Sequence, residues 1–344
     1  MQTKFFLGAN SAGGFRSLYA HFAAAPGDRL HVIKGGPGTG KSGFMRRIAE
    51  AAEKRGLDAQ LVLCSGDPDS LDGVYLPALR QGWVDGTAPH ALEPAIFGVS
   101  GDYVNLGRFC RLPLPEADAA AARQLTAEYK ALYREAYACL AAASSLRRAA
   151  PGLWEGEVRE RAEGRILSLL RRHPAGPGGE TRRYLSAVSC QGLLRLGGEA
   201  AKLCPTVIEL DDGFGLAAPA LAFAAQESAR LGLERILCPS PLEAEEADAL
   251  LLPGAGLALL RGEWGVPGAR HLRLDALIDA DARQAQRAPR RRCLRLSQEA
   301  LDEGISRLRQ AKAKHDELEA VYREHMDFAA LTDFTEREIA RIFA

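Results

Sequence analysis

Short apolar runs recur along the chain, and segments with helical spacing separate them. In the first third of the chain, one run covers residues 30–34, a second covers residues 61–64, and a third passes through Trp83 and Val84. Short apolar runs bounded by turn residues predict buried strands, and strands that alternate with helices predict a mostly parallel sheet covered on both faces. The pattern therefore predicts an α/β fold.

The same succession of features returns about 176 residues further along the chain. Near the amino terminus, Leu7 and Gly14 match Leu185 and Gly192 in an alignment without gaps. The segment HVIKGGPGTGKS then faces TVIELDDGFGLA, and RGLDAQLVLC faces LGLERILC, in the same order in both copies. Chance similarity between alanine- and leucine-rich segments is the alternative, but the matches include Gly, Pro and Cys at particular positions. We interpret the chain as a duplicated α/β unit.

Helical segments lie between and after the two copies. Leu125, Leu132 and Leu140 belong to one apolar stripe, and a second helix is predicted over residues 154–172. The predicted organisation is a first α/β domain (1–110), a helical insertion (115–174), a second α/β domain (181–280) and carboxyl-terminal helices (295–344).

Capping signals place the helices of the carboxyl-terminal segment. Ser297 is a candidate N-cap, and Thr335 with Glu338 forms a candidate capping box for a final helix. The basic stretch at residues 287–295 precedes these helices. We expect it to be a solvated connector, with contact to nucleic acid as the alternative.

Composition excludes several classes of partner. The 44 Lys and Arg residues balance 44 Asp and Glu residues, so no net field recruits nucleic acid or an anionic membrane. No window approaches a membrane-spanning apolar length, and the amino terminus has no leader pattern. The seven cysteines are scattered without CxxC spacing, which is typical of reduced thiols. We expect a soluble cytoplasmic protein without a structural metal site.

The chemistry is concentrated in the segment GGPGTGKS, which follows the first strand and opens a helix. Successive backbone amides of a glycine-rich loop, with the positive end of the following helix, form a cradle for phosphate. Lys41 is expected to reach the β- and γ-phosphates, and Ser42 to take one position on Mg²⁺. With no NKxD-like guanine signature, the expected ligand is ATP. The predicted nucleotide-binding residues are Gly35, Gly36, Pro37, Gly38, Thr39, Gly40, Lys41, Ser42 and Gly43.

Candidate acids follow the second and third apolar runs. Asp85 closes the third run and is the candidate second ligand of Mg²⁺, with a turn aspartate before Gly86 as the alternative. The segment SGDPDSLDG after the second run carries Asp67, Asp69 and Asp72. Acids at the carboxyl end of a strand beside a phosphate loop can handle a substrate or an attacking water, but the segment is also a good turn sequence.

His90 is a weaker candidate, either as a sensor of the γ-phosphate or as a loop residue. The predicted catalytic residues are Lys41, Asp85, Asp67 and Asp69, and the predicted metal ligands are Ser42 and Asp85.

The second copy lacks this chemistry. In the alignment, Leu216 stands where the first copy has its lysine, and Ala217 stands where it has the hydroxyl. Asp211 and Asp212 put negative charge where a phosphate would lie. The predicted fold is therefore two tandem P-loop NTPase-like parallel-sheet domains, the second degenerate, with added helical segments.

The chain resembles a bacterial family of tandem P-loop proteins, whose members are labelled ATPase or nucleotide-kinase-like. The resemblance rests on the GGPGTGKS loop, the segments SGDPDSLDGVYLP and DGTAPH, and the duplication. It covers nearly the whole chain, although the degenerate second loop departs from many members. The favoured function is an ATPase that couples hydrolysis to movement of the helical segments. The alternatives are a small-molecule or nucleotide kinase, favoured by the strand-end acids, and a nucleotide-dependent binding module. The coupled small molecule or protein partner is not identified by the sequence.

Overall fold

Two six-stranded sheets and seven α-helices make up the computed structural model, which describes residues 1–87, 92–173, 178–243 and 245–344. The strands of the first copy are β1 Gln2–Phe6, β2 Gly8–Ser11, β3 Gly14–Ser17, β4 Arg29–Lys34, β5 Ala59–Leu63, β6 Leu71–Leu76, β7 Gln81–Asp85 and β8 Gly101–Asn105. Those of the second copy are β9 Glu180–Arg182, β10 Ser186–Ser189, β11 Gly192–Arg195, β12 Thr206–Leu210, β13 Arg235–Pro239, β14 Ala247–Leu252, β15 Leu257–Arg261 and β16 Arg270–Leu272. The helices are α1 Lys41–Glu53, α2 Glu116–Arg148, α3 Gly156–Leu170, α4 Gly197–Leu203, α5 Ala217–Arg230, α6 Ala280–Arg323 and α7 Phe328–Ile342.

The two sheets have the same strand order. The first is β1-β5-β6-β7-β4-β8, and the second, read from β9, is β9-β13-β14-β15-β12-β16. All neighbours are parallel except around β6 and β14, which run antiparallel to both of their neighbours. The predicted α/β class with mostly parallel sheets is confirmed. The apolar pattern did not predict β6, which begins inside the acidic segment at Leu71.

The two copies meet at corresponding positions. The Phe6 N–H donates to the Tyr184 carbonyl at 2.9 Å, and the Tyr184 N–H donates to the Phe6 carbonyl at 2.8 Å. These residues directly precede the aligned Leu7 and Leu185. A residue that pairs with its own counterpart indicates a local two-fold relation. Phe5, Leu7 and Leu185 lie in one buried apolar cluster with residues of both sheets, so the copies share a core.

Helices α2 and α6 form an antiparallel pair. Lys314 on α6 contacts Glu128 on α2 at 3.3 Å, whereas Arg307, earlier on α6, contacts Glu135, later on α2, at 3.2 Å. Apolar side chains of both helices pack between them. None of the helices in the described parts of the chain is long and apolar enough to cross a bilayer.

The predicted start of α6 is wrong, because the helix begins at Ala280. Asp279 is the N-cap, and its carboxylate accepts from the Ala282 N–H at 2.8 Å. Ser297 lies in the middle of the helix, buried, where its hydroxyl donates to the Ala143 carbonyl of α2 at 2.7 Å. The basic stretch is also helical, and Arg290 within it is buried, so the expectation of a solvated connector is wrong at this residue.

The predicted capping box of the last helix is also wrong. Helix α7 begins at Phe328, and Asp327 caps it by accepting from the Ala330 N–H at 2.9 Å. Thr335 lies two turns inside the helix, buried, and its hydroxyl donates to the Leu331 carbonyl at 2.7 Å. A threonine that bonds to the carbonyl four residues earlier is compatible with a helix interior.

Candidate functional site

A tight loop connects β4 to α1 in the first copy. Gly38 and Gly40 have φ values of 68° and 83°, in the left-handed region that favours glycine. A Cβ on Gly35 would lie 2.5 Å from Thr39 Oγ1, so the first glycine is required by close approach. Thr39 Oγ1 donates to the Gly36 carbonyl at 2.8 Å and closes the loop on itself. The loop therefore ends at the first turn of α1, whose N–H groups have no partner within the helix.

The Lys41 ammonium lies against the carbonyls of this loop. Its Nζ donates to the Gly36 carbonyl at 2.8 Å and to the Gly35 carbonyl at 3.1 Å. Its third neighbour is Asp85 Oδ2, at 3.7 Å. Only 12% of the Lys41 side chain and 14% of the Asp85 side chain are exposed. The loop thus holds the Lys41 ammonium in place by two neutral acceptors and one carboxylate.

The sheet order brings Asp85 to the loop. Strand β7 lies directly beside β4 in parallel, and Asp85 at its end is in register with Ile33. Asp85 Oδ1 accepts from the Thr87 N–H at 2.8 Å and from Thr87 Oγ1 at 2.6 Å. These two bonds fix the carboxylate and leave Oδ2 facing Lys41.

Ser42 connects the loop to the acidic segment. The Leu71 N–H donates to Ser42 Oγ at 2.9 Å, and Arg46 of α1 donates to the Asp69 carbonyl at 2.6 Å. Residues 65–70 therefore run alongside the first turns of α1. The structure thus places the acidic segment beside the loop, as the strand-end position predicted.

The side chains of Asp67 and Asp69 have partners elsewhere. Asp67 accepts from Ser70 Oγ at 2.9 Å and lies 3.4 Å from Lys312 Nζ on α6. Asp69 Oδ2 accepts from Gln191 Nε2 of the second copy at 2.9 Å. Within the described parts of the chain, neither carboxylate forms a hydrogen bond or ion pair with the loop lysine. Asp67 thus links the acidic segment to α6, and Asp69 links it to the second copy.

Asp72 is not a loop residue. It lies in β6, buried, and accepts a hydrogen bond from the Tyr19 hydroxyl at 2.8 Å. The pKa of Tyr19 is raised well above its ordinary value. Burial is the largest cause, and the negative charge of Asp72 is the second. The remaining candidate, His90, lies outside the described residues.

The end of α6 and the start of α7 cover the loop, which the sequence analysis did not predict. A Cβ on Gly38 would lie 2.7 Å from the Glu319 carbonyl, and a Cβ on Gly40 would lie 2.8 Å from Leu331 Cδ2. Tyr322 reaches Gly36, with 3.7 Å between its Cε1 and a Cβ built there. No local sequence pattern could predict these contacts, because residues 36–40 and residues 319–331 lie near opposite ends of the chain.

An internal carboxylate occupies the corresponding place in the second copy. Asp212 Oδ1 accepts from the Ala217 N–H, at the amino end of α5, at 3.2 Å. Its Oδ2 accepts from Arg261 Nε at 2.8 Å. Asp275 Oδ1 accepts from the Phe214 N–H at 3.3 Å. Two N–H groups that could bind an anion in this loop, those of Phe214 and Ala217, are therefore already bonded to carboxylates.

The first helical hydrogen bonds and the glycine conformations align the two loops differently. In the first turns of the helices, the Phe44 N–H donates to the Gly40 carbonyl and the Ala220 N–H donates to the Leu216 carbonyl, which equates Ala217 with Lys41. The positive φ values of Gly40 (83°) and Gly215 (76°) instead equate these two glycines, and thus Leu216 with Lys41, as predicted. In either alignment the second copy has no lysine and no hydroxyl at these two positions.

Ser42 and Asp85 fit the needs of a nucleotide-bound magnesium ion. Such an ion takes one or two protein ligands and completes its shell with phosphate oxygens and water. One hydroxyl on α1 and one carboxylate beside the loop lysine supply that set. Over the described ranges, no three His, Cys, Asp or Glu side chains come together as a metal site of their own.

Comparison of the chain with known protein families, with curated proteins and with solved structures finds no match in any of the three.

Proposed function

We propose that the protein binds MgATP at residues 35–43 and hydrolyses it. The observation that carries the proposal is the geometry around Lys41: a glycine loop between a strand and a helix, an ammonium on a side chain that is only 12% exposed, and Asp85 Oδ2 at 3.7 Å. A cation and a carboxylate held together beside unpaired helix N–H groups can bind a triphosphate and its metal. The proposal agrees with the resemblance to tandem P-loop proteins.

The loop would bind the phosphates mainly by its backbone. On binding, Lys41 would exchange the Gly35 and Gly36 carbonyls for phosphate oxygens, which are stronger acceptors because they are charged. Bound Mg²⁺ neutralises charge on the phosphates. Ser42 and Asp85 would hold it, and Asp67 or Asp69 would orient the attacking water after leaving its present partner.

Helices α6 and α7 would transmit the reaction. Glu319 and Leu331 contact the loop at the two glycines with positive φ, and a change in loop conformation therefore changes their packing. Helix α6 also carries Lys312, the partner of Asp67. We propose that hydrolysis is coupled to movement of the α2/α6 pair.

A kinase is the second candidate, favoured by the acidic segment that runs beside Ser42. A nucleotide-dependent binding module with slow turnover is the third, favoured by the partners that Asp67 and Asp69 already have. The proposed location for all three is the cytoplasm, because the seven cysteines are free thiols.

One experiment separates the candidates: phosphate and ADP formation from MgATP by the pure full-length chain, with and without a panel of nucleosides, nucleotides and sugars. Phosphate release without an acceptor supports the ATPase. ADP formation that requires an acceptor supports the kinase, and binding without either product supports the module. The Lys41→Ala variant is the control for contaminating activity, and equal rates in both proteins would reject the site.

A further inference from the structure

A pocket lies between α6 and the loop of the second copy. Its volume is about 490 Å³, within the range of small-molecule sites. Four arginines and one aromatic ring supply its side-chain chemistry: Arg287, Arg290, Arg291, Arg295 and Phe214. Among the described residues, none with a carboxylate belongs to its lining.

Arg290 is fixed at the base of this pocket. Only 6% of the residue is exposed. Its Nε donates to the Gly213 carbonyl at 2.5 Å, and its terminal nitrogens donate to the carbonyls of Pro151 at 3.0 Å and Asp212 at 3.2 Å. Its partners are thus neutral carbonyls, which orient the guanidinium without cancelling its charge.

The other arginines project from one face of α6. Arg287, Arg291 and Arg295 are exposed and follow one another at intervals of four residues, roughly 6 Å along a helix. Arg295 pairs with Glu299 at 2.6 Å. Within the described part of the chain, Arg287 and Arg291 have no carboxylate partner.

The acids nearby are already neutralised or bonded. Asp212 pairs with Arg261 at 2.8 Å and lies 3.5 Å from Arg147, while Asp275 accepts from the loop backbone. Arg287 and Arg291 therefore face the pocket without a paired carboxylate among the described residues, whereas the guanidinium of Arg290 lies near the carboxylates of Asp212 and Asp275. Guanidinium groups match phosphate in geometry and remain charged at all physiological pH values.

We propose that this pocket binds a small ligand that carries two or more phosphate groups, with Phe214 against its organic part. Several closely spaced guanidinium groups favour several linked phosphates over one phosphate. The pocket volume of about 490 Å³ matches the size of a small molecule. The second copy would then bind phosphate beside its loop, through α6, and not within it. This proposal does not depend on nucleotide binding by the first copy.

The test measures binding of inorganic tripolyphosphate by calorimetry to the full-length Lys41→Ala variant, which removes the loop lysine of the first copy. The comparison variants add Arg287→Gln with Arg291→Gln, or the matched control Arg309→Gln. Arg309 is an exposed arginine on the same helix, outside the pocket. All three arginines are exposed, so the substitutions leave the core intact.

We expect tripolyphosphate to bind to Lys41→Ala at least tenfold more tightly than orthophosphate. The double substitution should weaken it at least tenfold, and the control should change it less than twofold. Equal affinity in the double variant and the control would overturn the proposal. It would also be overturned if a single-stranded oligonucleotide bound more tightly than tripolyphosphate and a nucleoside triphosphate, since the face would then serve nucleic acid.

Discussion

Asp85→Asn is the sharpest perturbation of the first-copy site, because the two residues have nearly the same shape. The asparagine oxygen can keep both bonds from Thr87, at the positions now 2.8 and 2.6 Å from Oδ1. The amide nitrogen then replaces the carboxylate oxygen that lies 3.7 Å from Lys41 Nζ. A favourable contact between opposite charges becomes an unfavourable contact between two donors.

The magnitude follows from this distance and the burial of the pair. At 3.7 Å, and with an effective dielectric constant of about 20, the attraction between the two charges is about 4.5 kcal/mol. Much of it is offset by the cost of removing both groups from water, so we expect the free energy of unfolding to fall by about 1–2 kcal/mol. In the proposed reaction the loss falls on the transition state, where charge develops, and turnover should drop by about 100-fold or more.

Three measurements check this expectation. Unfolding by guanidinium gives the loss of stability, and single-turnover phosphate release gives the rate. Calorimetry gives the affinity for MgATP, which should change by less than about fivefold. Asp102→Asn is the matched control. Asp102 lies on β8, on the other side of β4 from β7, and contacts His31 at 2.6 Å, so its loss also removes a partly buried contact.

If Asp85→Asn turns over MgATP at the wild-type rate while Asp102→Asn behaves the same, Asp85 has no role with the metal, and Asp67 and Asp69 become the next candidates.

Further predictions concern the loop, its cover and the second copy. Lys41→Ala should abolish turnover and weaken MgATP binding by about 2 kcal/mol or more, roughly 30-fold, whereas calorimetry of the wild type should find one site per chain; two comparable sites would contradict the assignment. Gly38→Ala should lower the free energy of unfolding by about 1–3 kcal/mol, because its Cβ would lie 2.7 Å from the Glu319 carbonyl and its φ is 68°. The matched Gly164→Ala, in an open helical position, should not destabilise the protein, and equal effects would show that α6 does not press on the loop. A fragment of residues 1–175 should be insoluble or poorly active, since it exposes the shared core; a soluble, fully active fragment would refute this.

Local signals were reliable where neighbouring residues alone decide the structure. The apolar run at residues 30–34, the glycine loop and the following helix need only their own sequence, and β4 and α1 lie where the pattern predicted them. The α/β class follows from the same alternation. The helix starts predicted from Ser297 and Thr335 were wrong, because a hydroxyl that donates to a carbonyl is also compatible with the interior of a packed helix.

The candidate site likewise combines features that local sequence predicts with features that depend on the packing of distant segments. The strand, the glycine loop and the position of Lys41 at the start of α1 can be predicted from their own residues, because their geometry depends on backbone conformations that particular residues permit or require. Three other features come from the packing of distant segments. Strand β7 lies beside β4 and brings Asp85 to the lysine, Asp67 and Asp69 bond to α6 and the second copy, and α6 covers the loop. These contacts join residues far apart in the chain, and they depend on sheet order and helix packing, which minimise exposed apolar surface over the whole molecule and leave no mark on any single segment.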